Sequence, residues 1–175
     1  MIYAYLTKPS KPWRKLCEII LQNHHVDPHD LYKDSSGKPL IQKENAFISW
    51  AHSKAHVLIA LSETHAVGAD CEDIRPIDHQ AIQKRFFPNE VDIQGSVDFY
   101  KKWTEKEATC KLKGISIWQE MKLTTNAQCH HNIIDETVFC IATHSATPII
   151  WVSHYETEKL LQKTAQTLLR PDQCR

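Results

Sequence analysis

"AFISWAHSKAHVLIALSETHAVGADCE", residues 46–72, holds three apolar runs parted by short polar breaks. The runs 46–53, 56–62 and 65–72 predict three strands in quick succession, the last two separated by a polar turn near Ser62–Thr64. Upstream, "IYAYL" (2–6) reads as a further strand, punctuated by Pro9 and Pro12. "WRKLCEIILQNH" (13–24) follows with apolar residues at 16, 19, 20 and 21, one face of a helix. "DPHD" (27–30) and "DSSGKPL" (34–40) read as loops.

Downstream, "AIQKRFFPNEV" (81–91) predicts a short helix and turn. Ser96 is placed to cap a long helix that runs to about Lys113. After Gly114 the strand candidates are "MKLTT" (121–125), "CHHNII" (129–134), "TVFCIATHS" (137–145) and "PIIWVSHY" (148–155). "ETEKLLQKTAQTLL" (156–169) predicts a closing helix, and "LLRPDQCR" (168–175) a frayed end. The order strand–helix–strands occurs once before residue 64 and again, more loosely, after it. The chain is therefore expected to be α+β, one globular unit (1–175) of two halves, 1–63 and 64–175.

Composition narrows the function classes. Lysine plus arginine and aspartate plus glutamate are each 21, so no bulk charge draws the chain to nucleic acid or membrane. Only four glycines are present, which argues against a glycine-rich cofactor loop. No run approaches the ~20 apolar residues of a membrane span, and the N-terminus lacks the pattern of a signal peptide. The six cysteines, at 17, 71, 110, 129, 140 and 174, form no C-x-x-C pair. Their spread suits reduced, mostly buried thiols in a cytoplasmic protein.

Three constellations carry chemistry. In "VGADCEDIRP" (67–76), Asp70 and Glu72 are i and i+2 at the end of a strand, so both side chains share one face. Carboxylates at this spacing repel unless a cation lies between them, and oxygen-only ligands suit Mg²⁺; a solvated strand end is the alternative. In "DFYKKWTEKEATCKLKG" (98–114), Trp103, Glu107 and Lys111 stack on one helical stripe. Glu107 and Lys111 could be an i, i+4 surface pair. Lys106 and Glu107 also sit within or beside the apolar side marked by Phe99, Trp103 and Cys110, where a carboxylate is costly without a compensating cation. Glu107 would then be a third oxygen ligand, with Lys106 and Lys111 holding phosphate oxygens. Third, Gly37-Lys38-Pro39 is a turn presenting a lysine, outside any P-loop frame, and His52-Ser53 ends a strand. Together these suit a phosphate cradle, or structure alone.

The ordered motifs "GKP" (37–39), "AHS" (51–53), "GADCE" (68–72), "KRFFPNEV" (84–91), "WTEKEATCK" (103–111) and "KGISI" (113–117) resemble the 4'-phosphopantetheinyl transferases of the surfactin-synthetase-activating type. The resemblance covers residues 14–118 well and the last strands more weakly. It implies a pseudo-twofold α+β fold, each half a small antiparallel sheet packed with a helix, with the active site between them. It implies transfer of phosphopantetheine from coenzyme A to a serine of an acyl or peptidyl carrier protein, releasing 3',5'-ADP. By position, Asp70, Glu72 and Glu107 resemble the magnesium ligands and Lys111 the lysine near the transferred phosphate. Lys38 and His52 resemble coenzyme A phosphate contacts, and Arg14 a basic residue near the 3'-phosphate. Glu107, directly or through a metal-bound water, is the expected general base. Lys84, Arg85, Phe86 and Phe87 are the candidates for carrier docking; the alternative is that the phenylalanines belong to the core. A monomer is expected.

Two departures touch coenzyme A binding. Ala51 stands where the family has serine, and the N-terminal basic stretch is reduced to Lys8, Lys11, Arg14 and Lys15. These motivate a rival reading, a non-catalytic coenzyme A or carrier binder. A second rival is a small zinc-binding module built on Cys129, His131, Cys140 and His144.

Overall fold

The computed structural model describes residues 1–9, 13–35, 37–42, 45–90, 93–121 and 126–168, the side chain of Arg14 and those of 165–168 excepted. Strands β1 (Ile2–Thr7), β4 (Phe47–His52) and β5 (Val57–Ser62) join β9 (Ile149–Val152) in one sheet of order β4-β5-β1-β9. Strands β6 (Val67–Asp73), β7 (Gln128–Ile134) and β8 (Thr137–Thr143) form a second, antiparallel sheet of order β6-β8-β7. The expected α+β class holds.

The two sheets pack face to face. Ile2, Ala4, Leu6, Ala51, Leu58 and Ala60 meet Val67, Ala69, Cys71, Phe139 and Ile141 between them. On the outer face of the first sheet, helix α1 (Trp13–Asn23) buries Leu16, Cys17, Ile20 and Leu21 against Val57, Ile59 and Leu61. β5 is therefore covered on both sides and buried along its whole length, which is why "VLIAL" does not alternate. On the outer face of the second sheet lies helix α3 (Gly95–Lys113), with Ala108 and Leu112 on Cys140 and Ala142.

Several local expectations change. The first sheet is mixed rather than antiparallel, because β9 returns from the far end of the chain to pair in parallel with β1. The helix α5 (His154–Leu168) that follows β9 packs on β1 and α1. Residues 149–168 thus lie with the sheet of residues 2–62. α3 starts one residue before Ser96; Gln94 is its N-cap, and Asp98 Oδ2 accepts the Gln94 N–H at 3.3 Å. Of the expected loops, 27–30 holds a 3-10 turn at Pro28–Asp30, and the end of 34–40 enters a small hairpin of β2 (Leu31–Lys33) and β3 (Pro39–Ile41). A short helix α4 (Ile117–Glu120) follows α3, set by a capping box of Ser116 and Gln119. The strand expected at 148–155 ends at Val152. Ser153 and Glu156 form a second box, with Glu156 Oε2 accepting from the Ser153 N–H at 2.9 Å. "KLTT" (122–125) and residues 169–175 of the expected frayed end lie outside the described residues. α2 (His79–Phe86) is as expected, capped by Asp78. No described helix is long and apolar enough to cross a membrane.

Candidate functional site

The second sheet turns Gly68, Asp70 and Glu72 toward α3, and Val67, Ala69 and Cys71 toward the first sheet. The approach of α3 is very close. A Cβ on Gly68 would lie 1.9 Å from the Ala108 carbonyl oxygen and 2.7 Å from Leu112 N. Only glycine lets the helix backbone sit on the strand there, and this brings Glu107 and Lys111 beside the two strand acids.

Lys111 Nζ donates to Asp70 Oδ1 at 2.8 Å and to the Ala69 carbonyl at 3.0 Å. Asp70 is buried, and its Oδ2 has no hydrogen-bond partner among the described residues. Burial pushes the Glu107 carboxyl up to about 7, and the charges of Asp70 and Glu72 add to this; Lys111 and a hydrogen bond from Trp103 oppose it. Burial also raises Glu72, again with Asp70 adding. For Lys111, burial works to lower the ammonium, but Asp70 and Glu107 outweigh it and the group stands above its usual range. The stripe Trp103-Glu107-Lys111 is therefore not a solvated ladder. Its tryptophan holds the carboxylate and its lysine neutralises a strand acid.

The other half of the site comes from the hairpin β2–β3 and strand β4. Asp34 Oδ1 accepts the Lys38 N–H at 2.9 Å, and Gly37 takes a positive φ of 84°, which closes the turn. Lys38 reaches across to α3, where its Nζ donates to the Leu112 carbonyl at 3.2 Å. Burial lowers its pKa, and Asp34 partly offsets this. Its charge also lies at the negative end of the α3 dipole. A cavity of about 460 Å³ opens between Gly37, Lys38 and Pro39, Ser49 and Trp50 of β4, and Cys110, Lys111, Gly114, Ile115 and Ser116. Two lysines thus line one cavity beside a set of carboxylates.

Other expected site residues lie elsewhere. Lys106 is buried, with Nζ 3.4 Å from Glu90 Oε1 and 3.5 Å from the Glu120 carbonyl. That environment is built by Glu90, before α3, and by the end of α4, and Lys106 does not line the lysine cavity. His52 is exposed at the end of β4 and does not line that cavity. The Arg14 side chain lies outside the described residues. Phe87 is core, packed on Phe99 and Trp103. Phe86 is half-buried, with the Arg85 guanidinium 5.1 Å from its ring.

Two residues that the sequence reading passed over organise the site. Ser49 Oγ accepts the Ala69 N–H at 3.0 Å, so one residue of β6 is held by β4 through its amide and by Lys111 through its carbonyl. Asp73 ties the β4–β5 turn to the end of β6. It accepts from the backbone N–H of Lys54 at 3.0 Å and Ala55 at 3.3 Å, from Ser53, and from Thr137 Oγ1 at 2.7 Å. Because the Thr137 hydroxyl donates to Asp73, His56 Nδ1, 2.9 Å away, is the donor to Thr137. Asp73→Ala is expected to cost about 1–3 kcal/mol, since it strips these donors of their acceptor. Urea denaturation checks it, with Asp73→Asn retaining part of the loss; a wild-type midpoint for the alanine variant refutes the clamp.

His131 gives a pH-dependent prediction. Burial lowers its pKa, and the ring sits 3.2 Å from the Lys101 carbonyl. The unfolded chain therefore takes up this proton first as pH falls through about 6.5, and stability is lost below that point. Glu107, raised in the folded state, works the other way over the same range. The measurement is accordingly a difference. Between pH 7.5 and 5.5, His131→Gln should lose less, or gain more, stability than wild type, and identical slopes would refute the assignment.

Among the described residues, no three histidine, cysteine, aspartate or glutamate side chains are gathered so as to hold a metal ion. For the zinc reading this is a correction: His131 is spent on the Lys101 carbonyl, and His144 is exposed after β8. Asp70, Glu72 and Glu107 are coupled electrostatically but not closed into a cage, because Lys111 holds Asp70. Their donor chemistry still fits a hard cation. The charge of Asp70 adds to the proton affinity of Glu72 and Glu107, and one buried carboxylate oxygen has no partner among the described residues.

No protein-family model matches the chain. It is similar to the 4'-phosphopantetheinyl transferase HetI of Nostoc sp. (strain PCC 7120), 32% identical over 97 residues. The match spans 48% of this chain and 41% of that protein. It supports the phosphopantetheinyl transferase superfamily without selecting a type within it.

Proposed function

We propose that this chain transfers 4'-phosphopantetheine from coenzyme A to a serine of an acyl or peptidyl carrier protein, as a transferase of the surfactin-synthetase-activating type. The observation that carries the reading is the shared cavity of Lys38 and Lys111, set against the Asp70–Glu107 carboxylates. Two converging ammonium groups suit a diphosphate, and adjacent carboxylates suit its counter-cation. The likeness to HetI, whose name states this activity, supports it over about half the chain. In this reading the two packed sheets are the pseudo-twofold halves, with the site at their junction, and the chain works as a cytoplasmic monomer.

The reaction forms a bond from the carrier serine oxygen to the β-phosphorus and breaks that phosphorus's bond to the bridging oxygen. The leaving 3',5'-ADP takes the electron pair. Lys38 binds the diphosphate, and Lys111 exchanges Asp70 for a phosphate oxygen, placing charge where it develops. Glu107, poised near neutrality, accepts the serine proton. Magnesium, held by Asp70, Glu72 and Glu107, would supply neutralisation of the diphosphate charge. The exposed Trp118, the half-buried Phe86 and the exposed Lys84 and Arg85 give the mixed apolar and basic surface that an acidic helical carrier requires.

The test is incubation with apo-carrier protein, coenzyme A and Mg²⁺, read by intact mass. Addition of one phosphopantetheinyl group is expected, lost without magnesium. No addition to any of a panel of acyl and peptidyl carriers refutes the transferase. Coenzyme A binding without transfer would identify the non-catalytic binder instead.

A further inference from the structure

Cys129 of β7 and Cys140 of β8 lie under α3, on the face of the second sheet that carries Asp70. The register pairs Cys129 with Ala142 and His131 with Cys140, so the two cysteines are diagonal neighbours on one face. On its other side Cys140 pairs with Asp70 of β6. Both cysteines pack with Ala108, Leu112 and Ala142 in one small cluster. Their thiols hydrogen-bond to each other. That contact holds the Cys129 thiol below its usual range, against the effect of burial. Cys140 is fully buried, whereas Cys129 is partly exposed. The other described thiols lie apart from this pair: Cys17 under α1, Cys71 between the sheets, and Cys110 at the wall of the lysine cavity.

From this pairing we infer that Cys129 and Cys140 are a reversible disulfide site, oxidised by a low-molecular-weight disulfide such as glutathione disulfide, whose closure shifts β7 against α3. The inference goes beyond the proposed function: the bond does not depend on that reading, and only its effect on transfer does. Exposure assigns the order of events. The Cys129 thiolate attacks one sulfur of the small disulfide, whose S–S bond breaks and whose other half leaves as a thiol after taking up a proton. Cys140, too deep to meet the oxidant, then gives up its proton and attacks the Cys129 sulfur, and the second small thiol leaves. Two protein thiols thus lose two electrons and two protons, and the small disulfide is reduced to two thiols. Diagonal neighbours on a sheet face stand about 7–8 Å apart, with Cβ atoms somewhat closer, and a relaxed disulfide needs Cβ atoms at about 3.5–4.5 Å. Closure therefore draws the strands together, and the strain leaves the bond easy to reduce. β7 is the strand that can move, since it stands at the edge of its sheet with β8 as its one described neighbour. Two contacts tie it to α3. Thr109 Oγ1 lies 3.9 Å from Cys129 Sγ, and His131 Nε2 lies 3.2 Å from the Lys101 carbonyl. Thr109 stands between Glu107 and Lys111 on the helix, so a shift of β7 reaches the site.

The experiment treats the full chain with glutathione disulfide and then with dithiothreitol, in a Cys174→Ser background that removes the thiol outside the described residues. Intact mass should show the loss of two hydrogen atoms without bound glutathione, and peptide mapping should place the crosslink between Cys129 and Cys140. Dithiothreitol should reverse it, and Cys129→Ser should abolish it. Amide hydrogen exchange over α3 should speed up on oxidation and stay unchanged in Cys129→Ser. In the carrier assay the oxidised chain should lose transfer by roughly tenfold or more, since a misplacement of about 1 Å can cost ~10²-fold, while Cys129→Ser keeps its rate. A stable glutathione adduct on Cys129 without a crosslink overturns the inference, as does a crosslink mapped elsewhere or one that leaves α3 exchange unchanged. The two proposals fail separately. A Cys129–Cys140 crosslink that loosens α3 in a chain without transfer leaves the disulfide and removes the transferase. Full transfer in a chain that forms no such crosslink does the reverse.

Discussion

Gly68→Ala is expected to be the most damaging single methyl in this protein. The added carbon would fall 1.9 Å from the Ala108 carbonyl oxygen, a backbone atom in the middle of α3 that cannot rotate away. Either the helix lifts from β6 or the strand bends. Overpacking in a core costs typically ~1–3 kcal/mol, and a clash against backbone belongs at or above the upper end. The displacement matters as much as the energy. α3 carries Glu107 and Lys111, and β6 carries Asp70 and Glu72, so separating them breaks the Lys111–Asp70 contact of 2.8 Å. The variant should unfold at clearly lower urea and lose transfer together with 3',5'-ADP affinity. Gly37→Ala, where no atom lies within 4 Å, is the comparison that isolates the clash from the positive φ of a turn. A Gly68→Ala protein with wild-type midpoint and turnover would disprove the close-packing account.

Asp70→Asn is expected to lower transfer by roughly 10²–10³-fold while leaving the fold in place, the scale of losing one preorganised electrostatic group. The change keeps shape and removes a charge that serves two neighbours. Lys111 loses the carboxylate that holds it beside the cavity, and the unpartnered Oδ2 that suits a cation becomes an amide. Lys111 retains the Ala69 carbonyl at 3.0 Å and about a third of its side chain is exposed, so water can compensate the lost ion pair and the stability cost should be small. Circular dichroism and urea denaturation report the fold, and intact-mass kinetics report the loss. A variant within threefold of wild type would remove Asp70 from the chemistry. One that is unfolded would make it structural.

Strand β6 and helix α3 were readable before any tertiary contact was known. Alternation puts Asp70 and Glu72 on one face, and the helical repeat puts Trp103, Glu107 and Lys111 on one stripe. The apolar face of α1 and the continuous run in β5 were readable for the same reason. The capping boxes Ser116–Gln119 and Ser153–Glu156 were also present as patterns, but strand-like runs beside them masked the helices they start. Lys106 is placed by the tertiary structure and not by its helical position alone. Its position on α3 suits the site, yet Glu90 and the Glu120 carbonyl, from segments on either side of the helix, bury it elsewhere.

Short-range order in the chain settled which residues are strand acids, which are helix bases and which turn presents a lysine, because each depends on neighbours within a turn or two. The assembled fold alone settled the near-contact of Gly68 with Ala108, the four donors gathered by Asp73, the return of β9 to β1, and the Trp13–Trp50 ring contact. Those features join segments far apart along the chain. Their geometry is fixed by how sheets and helices close on a common core, and no local period in a sequence encodes that closure.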